Sequence, residues 1–326
     1  MKKLNILIFL SLILLIACNY SNSNKQKKVT QVSFATSKNM WCGLGLIAYD
    51  KGYFKGEGLD VKISYLESGR YCLDALVSNS TDFATIVEVN ISYFGFTGNK
   101  SIIDIASLVS STSSGIIALK SRGINKPEDL KGKKLAFCPG TTSDIFANRF
   151  IEKHGVKATE VNFQKIQPLA ISSAVISGSV DAASTWDPHI YNISKSLGKD
   201  AIVFRDPDAY TGYLTLAVRK DWAYANKETV ISFLRALKKA DLFAKEHKEE
   251  AQVIVSQMIN LDIEVVKATW DLHNMELKLD KDEMLKAVNL QGIWINQTME
   301  EYKGKAIPNY TEYFDSKFID ELNSSK

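Results

Sequence analysis

The chain has 326 residues, 40 Lys and Arg against 37 Asp and Glu, a formal charge of +3, and 45% apolar residues. That balance leaves no basic surplus for a polyanion to exploit, so nucleic acid is not an expected partner. The length exceeds the ~250 to 300 residues that one hydrophobic core usually serves, so two lobes are expected.

At the start, Lys2 and Lys3 precede an almost wholly apolar run, Leu4 to Ala17, ending in Leu15-Ile16-Ala17-Cys18. A basic start and an apolar run shorter than the ~20 residues of a membrane span read as a secretory signal. Ordinary cleavage sites end in small residues such as Ala-x-Ala. A cysteine directly after Leu-Ile-Ala resembles instead the bacterial lipobox, in which the thiol is acylated before cleavage. Residues 1–17 are then signal, and Cys18 is the lipidated first residue of the mature chain; an uncleaved anchor or a chance cysteine is the alternative. Several acyl chains on one cysteine hold a soluble domain firmly at a membrane, which places the protein in the cell envelope, outside the cytoplasm. Asn19 to Lys28 is almost devoid of apolar residues and reads as a flexible tether, so residues 18–28 link anchor to fold. Losing residues 1–17 removes two lysines and no acids, which takes the formal charge from +3 to +1.

From Val29 onward, period-two patterns alternate with helical ones. Val32 and Phe34, then Val61, Ile63 and Tyr65, alternate with polar neighbours and are followed by helix-like stretches. Strands are predicted again at Phe83 to Ile86, Ile102 to Leu108, Leu135 to Phe137, Val161 to Phe163, Ala182 to Thr185, Ala201 to Phe204 and Leu214 to Val218. Strands alternating with helices imply an α/β fold with mainly parallel sheets. The polar segment Gly123 to Lys134, bearing Gly and Pro, reads as a surface connector in the second lobe. Val230, Phe233, Leu234 and Leu237 share one helix face, with Asn226 placed as its cap, and helical patterns continue through Ile254 and Leu285. The last third is expected to be mainly helical. Beyond Cys18 stand Cys42, Cys72 and Cys138, an odd number at unrelated spacings, which argues against a disulfide scaffold but leaves one pair free to close.

Ligands of parallel α/β sheets bind beyond the carboxyl ends of the strands. The segments there are Ser37 to Gly43, Glu67 to Cys72, Val87-Glu88, Ser110 to Ser113, Cys138 to Asp144 and Thr185 to Pro188. Their order, with Ala48-Tyr49-Asp50-Lys51-Gly52-Tyr53-Phe54, Glu57-Gly58-Leu59-Asp60-Val61, Asp82-Phe83-Ala84, Lys126 to Lys133, Val180-Asp181-Ala182 and Val218-Arg219-Lys220-Asp221, resembles the solute-binding proteins of bacterial ABC importers for nitrate, sulfonates, taurine and thiamine precursors. The resemblance covers nearly the whole mature chain. It implies a two-lobed periplasmic-binding-protein fold (type II) with a hinged cleft, lobe I at 29–115 and 213–326, lobe II at 116–212, and crossovers near Gly115 to Leu119 and Arg205 to Leu216. It also implies a monomer that encloses a small molecule and delivers it to an ABC permease and its ATPase, with no cofactor and no catalysis.

Met40, Trp41, Gly69, Arg70, Tyr71, Glu88, Ser113, Thr141, Thr142, Ser143, Trp186, Asp187 and Tyr210 are the candidate ligand residues. Thr141, Thr142 and Ser143 open a helix, where free N–H groups, hydroxyls and the positive dipole suit an anion; simple helix capping uses the same residue types. Trp186, Trp41, Tyr71 and Tyr210 are either aromatic walls or ordinary packing. Glu88 is either a partner for a cation or amine or a capping acid, and Arg70 pairs either with an anionic ligand or with a surface acid. Together these groups point to a small organic anion or zwitterion, sulfonate- or taurine-like or a heterocyclic vitamin precursor. Against an enzyme, His154, His189, His247 and His273 lack metal-ligand spacing, and no Walker loop or Gly-x-Ser-x-Gly elbow occurs. A thiamine-pyrimidine-synthase-like enzyme, or a sensor or adhesin domain on the same fold, is the alternative.

Overall fold

Strand β1 (Thr30–Ser37) opens the folded chain and shows why its sequence alternates: Val32 and Phe34 point into one core, Ala35 into another. The computed structural model describes residues 29–324; the signal, Cys18 and the tether therefore lie outside the described residues. Five further strands complete the first sheet: β2 (Leu59–Leu66), β3 (Phe83–Val87), β4 (Ile102–Ser111), β10 (Gly212–Arg219) and β11 (His273–Lys278), in the order β11-β4-β10-β3-β1-β2. The second sheet is β7-β6-β8-β5-β9, built from β5 (Ser114–Leu119), β6 (Lys134–Phe137), β7 (Asn162–Lys165), β8 (Ala182–Trp186) and β9 (Ala201–Phe204). Helices cover both faces of each sheet, so inner strands such as β4 and β5 are apolar almost throughout.

Each sheet is mixed. Parallel pairing holds where a helix returns the chain, in β1–β2, β1–β3, β6–β7 and β6–β8. The antiparallel pairs all involve β4, β10, β11 or β5, the strands at or beside the passages between sheets. Those passages fall at Thr112–Ser113 and at 205–211, so Gly115 to Leu119 is itself a strand of the second sheet and Gly212 to Leu216 a strand of the first.

The helical face expected around Val230 forms as Lys227–Glu246, with Phe233 at its centre. Phe233 stacks on Phe83 at 3.9 Å and meets Phe34 and Phe54 at 5.2 and 4.5 Å, a ring cluster whose members each contribute about 1.5–3 kcal/mol by burial. Asn226 occupies the cap position, but its side chain donates to the Trp222 carbonyl rather than accepting from the helix. Strand β11 stands inside the stretch expected to be helical. Its sequence carries the signal, since His273, Met275 and Leu277 are buried while Asn274 and Lys278 are exposed. No helix of the described residues is long and apolar enough to cross a membrane.

Candidate functional site

Two helix starts, one from each sheet, face a common cavity. After β2 the chain turns at Ser68 into helix Gly69–Val77; after β6 it turns at Gly140, at a φ of +70° that favours glycine, into helix Thr142–Lys153. Thr141 caps the second helix by accepting from the Ser143 N–H at 3.3 Å while donating to the Cys138 carbonyl at 2.8 Å. The Ser143 hydroxyl accepts from the Cys138 N–H at 2.8 Å. Both hydroxyls are thereby consumed in shaping the turn. The Thr142 hydroxyl has no protein partner among the described residues, and it lines the cavity.

On the opposite wall the pattern repeats. The Ser68 hydroxyl is buried, lines the cavity and makes no hydrogen bond, and the Asn39 side-chain oxygen is likewise buried without a partner. Buried polar groups are nearly always paired, so free ones converging on a space mark it for a polar occupant. Gly69 is needed for the close approach of its helix: a Cβ there would stand 3.0 Å from Asn90 Oδ1 and 3.1 Å from the Ile86 Cα. The cavity is small, about 40 Å³. Trp41 and Trp186 form its aromatic walls, and Arg70 is the sole ionisable cation or carboxylate among its lining residues. With two helix N-termini and one guanidinium and no acid, the electrostatics favour an anion.

Of the candidate residues, Trp41, Gly69, Arg70, Thr141, Thr142 and Trp186 line this cavity. Ser113 and Asp187 stand behind it and hold its walls. The Trp41 indole donates to the Ser113 hydroxyl at 2.9 Å, and that hydroxyl also accepts from Ser111, which in turn meets His273 Nδ1 at 2.9 Å. Arg205 donates to the Ser113 carbonyl at 2.6 Å and pairs with Asp187, whose side chain also accepts from the Tyr191 N–H. Burial raises the Asp187 carboxyl and Arg205 opposes it. Asp187 is therefore occupied by the chain itself and does not reach the ligand space.

Glu88 is placed differently from either sequence expectation. It is fully buried and accepts three hydrogen bonds, from the Tyr210 hydroxyl at 2.6 Å, the Tyr213 N–H at 2.8 Å and the Gln291 amide at 2.7 Å. It pins the returning passage to the first lobe; Tyr210 is spent in the same way. Met40 is packed in the core, accepting from the Thr269 hydroxyl at 3.0 Å. Tyr71 sits at the rim and donates across the cleft to Gln167 at 3.2 Å.

Ser37, Asn39, Cys42, Ser68, Val87, Asn90 and Leu214 complete the lining and are not among the candidate ligand residues named from the sequence. Ser37 ends β1, and Asn39, Cys42 and Ser68 lie in the strand-end segments Ser37 to Gly43 and Glu67 to Cys72, where position alone was the available signal. Cys42, Cys72 and Cys138 are buried free thiols, and burial raises the Cys42 thiol, which keeps it from thiolate chemistry. Across the cleft, Asn90 donates to the Gly140 carbonyl at 3.1 Å, Tyr93 to Asp144 at 2.9 Å and Arg70 to the Pro139 carbonyl at 3.5 Å. Val89 of the first lobe also packs into the apolar core of the second.

Known proteins share this architecture. A putative aliphatic sulfonates-binding protein of Bacillus subtilis is 29% identical over 88% of this chain and 87% of its own length. The taurine-binding periplasmic protein of Escherichia coli is 27% identical over 57% of this chain and 58% of its own. Among solved structures, the periplasmic aliphatic sulphonate binding protein of Escherichia coli superposes with a TM-score of 0.74 at 18% identity, covering 87% of this chain and 97% of that one. The alkanesulfonate-binding protein of Xanthomonas axonopodis pv. citri bound to MOPS gives 0.73 at 16% identity, covering 87% and 96%. These likenesses show the periplasmic-binding-protein fold. The NMT1/THI5-like family model matches residues 44–251, well over half of the chain, and the chain belongs to that family.

Proposed function

We propose that this protein is the solute-binding component of an ABC importer and captures a small sulfonate-like oxyanion without catalysis. The observation that carries the reading is the cavity between the sheets: two helix N-termini, the free Ser68 and Thr142 hydroxyls, Arg70 and no carboxylate, between Trp41 and Trp186. Several relatives are named binding proteins, among them two named for aliphatic sulfonates and one for taurine. A sulfonate presents three oxygens to such donors, and each charge-assisted hydrogen bond contributes about 1.5–3 kcal/mol. An amine on the ligand finds no acid in this cavity, since Glu88 and Asp187 are engaged elsewhere; the sequence expectation that they serve an amine is not part of this reading.

In the same proposal, lobe I is built on the first sheet and lobe II on the second, joined by the passages Thr112–Ser113 and 205–211, and closure of the lobes encloses the ligand. The monomeric domain is tethered at the outer face of a membrane through lipid on Cys18 and hands its ligand to a permease whose ATPase is cytoplasmic. A thermal-shift and tryptophan-fluorescence panel tests the ligand class. Alkanesulfonates are expected to raise the melting temperature and change the emission of Trp41 and Trp186. A response to nitrate or bicarbonate with none to any sulfonate overturns the ligand class, and steady turnover of a sulfonate overturns the non-catalytic reading.

A further inference from the structure

The inner cavity is one of two spaces on the cleft. A second cavity of about 550 Å³ adjoins it, and Arg70 and Asn90 line both. Helix 88–95 supplies Tyr93 and Phe94 to its wall, the turn after β6 supplies Pro139 and Gly140, helix Thr142–Lys153 supplies Asp144, and the segment 298–302 closes the far side. The two spaces differ in size by more than tenfold, so a ligand head held in the inner one has room for a substantial tail only outward, past Arg70.

Their charges also differ. The inner cavity has Arg70 and no acid; the outer one is faced by Asp74, Asp144, Glu300 and Glu301 against Arg70 and Lys165. The acids are not alone there. Tyr302 lies edge-on to Tyr93 at 5.8 Å and already draws the Lys305 ammonium to 5.1 Å from its ring centre, and with Phe94 and Phe137 these rings give the outer space aromatic walls. Aromatic faces beside carboxylates suit an alkylated ammonium, which gains cation–π attraction without needing to donate hydrogen bonds. Asp144 is buried, accepts from the Tyr93 hydroxyl, the Gly140 N–H and the Asn148 amide, and forms no ion pair among the described residues.

Resting on the sulfonate reading above, we propose that the outer cavity is a second ligand subsite, and that the preferred ligand is an extended zwitterion with its sulfonate in the inner cavity and an alkylated ammonium among Tyr93, Phe94, Tyr302, Asp144 and Glu301. The small free hydroxyls at Ser68 and Thr142 read the head, and the outer rings and acids read the tail.

Calorimetry with three probes tests this: methanesulfonate, trimethylammonio-propanesulfonate and the tert-butyl isostere of the latter, an anion whose tail is uncharged. The ammonium compound is expected to bind about tenfold tighter than its isostere. The exposed-surface variant Glu300→Gln/Glu301→Gln and, separately, Tyr302→Ala are expected to cut that preference to about twofold or less while methanesulfonate affinity stays within about twofold of wild type. Equal or tighter binding of the tert-butyl isostere overturns the second subsite and leaves the sulfonate site standing. So does equal weakening of methanesulfonate by the outer variants. Absence of binding by all three probes overturns the sulfonate reading and this proposal together.

Discussion

The wall of the inner cavity and the layer directly behind it are built from similar residue types in opposite states. At the wall, the polar atoms of Ser68, Asn39 and Thr142 lack protein partners. One layer back, Glu88 accepts three hydrogen bonds, Asp187 is paired with Arg205, and Ser113 both anchors Trp41 and receives Arg205. The difference separates binding from architecture. Free polar groups on the cavity wall are available to a ligand, whereas Glu88, Asp187 and Ser113 are already satisfied by the chain itself.

The sharpest way to break this comparison is to strip the back layer. Glu88→Ala leaves the Tyr210 hydroxyl, the Tyr213 N–H and the Gln291 amide unpaired, and is expected to lower stability by about 3 kcal/mol or more, read by urea denaturation. Glu88→Gln, which keeps one acceptor oxygen for the Tyr210 hydroxyl and the Gln291 amide, is expected to cost less. A near-neutral Glu88→Ala with weakened sulfonate binding would move Glu88 to the wall after all.

A second test uses an acid that the fold satisfies poorly. Asp104 is fully buried, receives one hydrogen bond from Thr215 and has a second oxygen without a partner; burial pushes its carboxyl up to about 8. Because the folded carboxyl holds its proton more tightly than the unfolded one, the folded state binds more protons between the ordinary value and about 8, so stability falls as pH rises through that window. Asp104→Asn is expected to flatten that fall and to be more stable than wild type at pH ~9 by about 1–3 kcal/mol, with little difference at pH ~4. An unchanged pH profile would show that Asp104 is not the group responsible.

At the wall itself the expected effects are on affinity. Thr142→Val is expected to weaken a sulfonate about tenfold and Ser68→Ala about fivefold, each with denaturation midpoints close to wild type. Loss of stability without loss of affinity in either variant would place that hydroxyl in the architecture.

Much of the fold was legible because its strands are short apolar or alternating runs between turn residues, as in Phe83 to Ile86 and Ala182 to Thr185. Strand β11 was obscured by the long helices around it, although His273, Met275 and Leu277 alternate correctly. At the cleft, Trp41, Arg70, Thr142 and Trp186 were legible from their place after strands. The roles of Glu88, Asp187 and Tyr210 were not, because residue type and strand position say nothing about where a side chain turns. That is decided by Arg205, Gln291 and the Tyr213 N–H, which arrive from well over a hundred residues away along the chain or from the second passage. Ser68 was missed for the converse reason: an ordinary helix-capping serine looks the same in sequence whether its hydroxyl caps the helix or is left free.

The most direct measurement is a calorimetric titration of methanesulfonate into the wild type and into the double variant Ser68→Ala/Thr142→Val. One saturable site in the wild type, weakened about thirtyfold or more in the double variant at an unchanged denaturation midpoint, is the predicted result. Equal affinity in the two proteins, or no binding to either, would contradict the assignment of this cavity to an oxyanion.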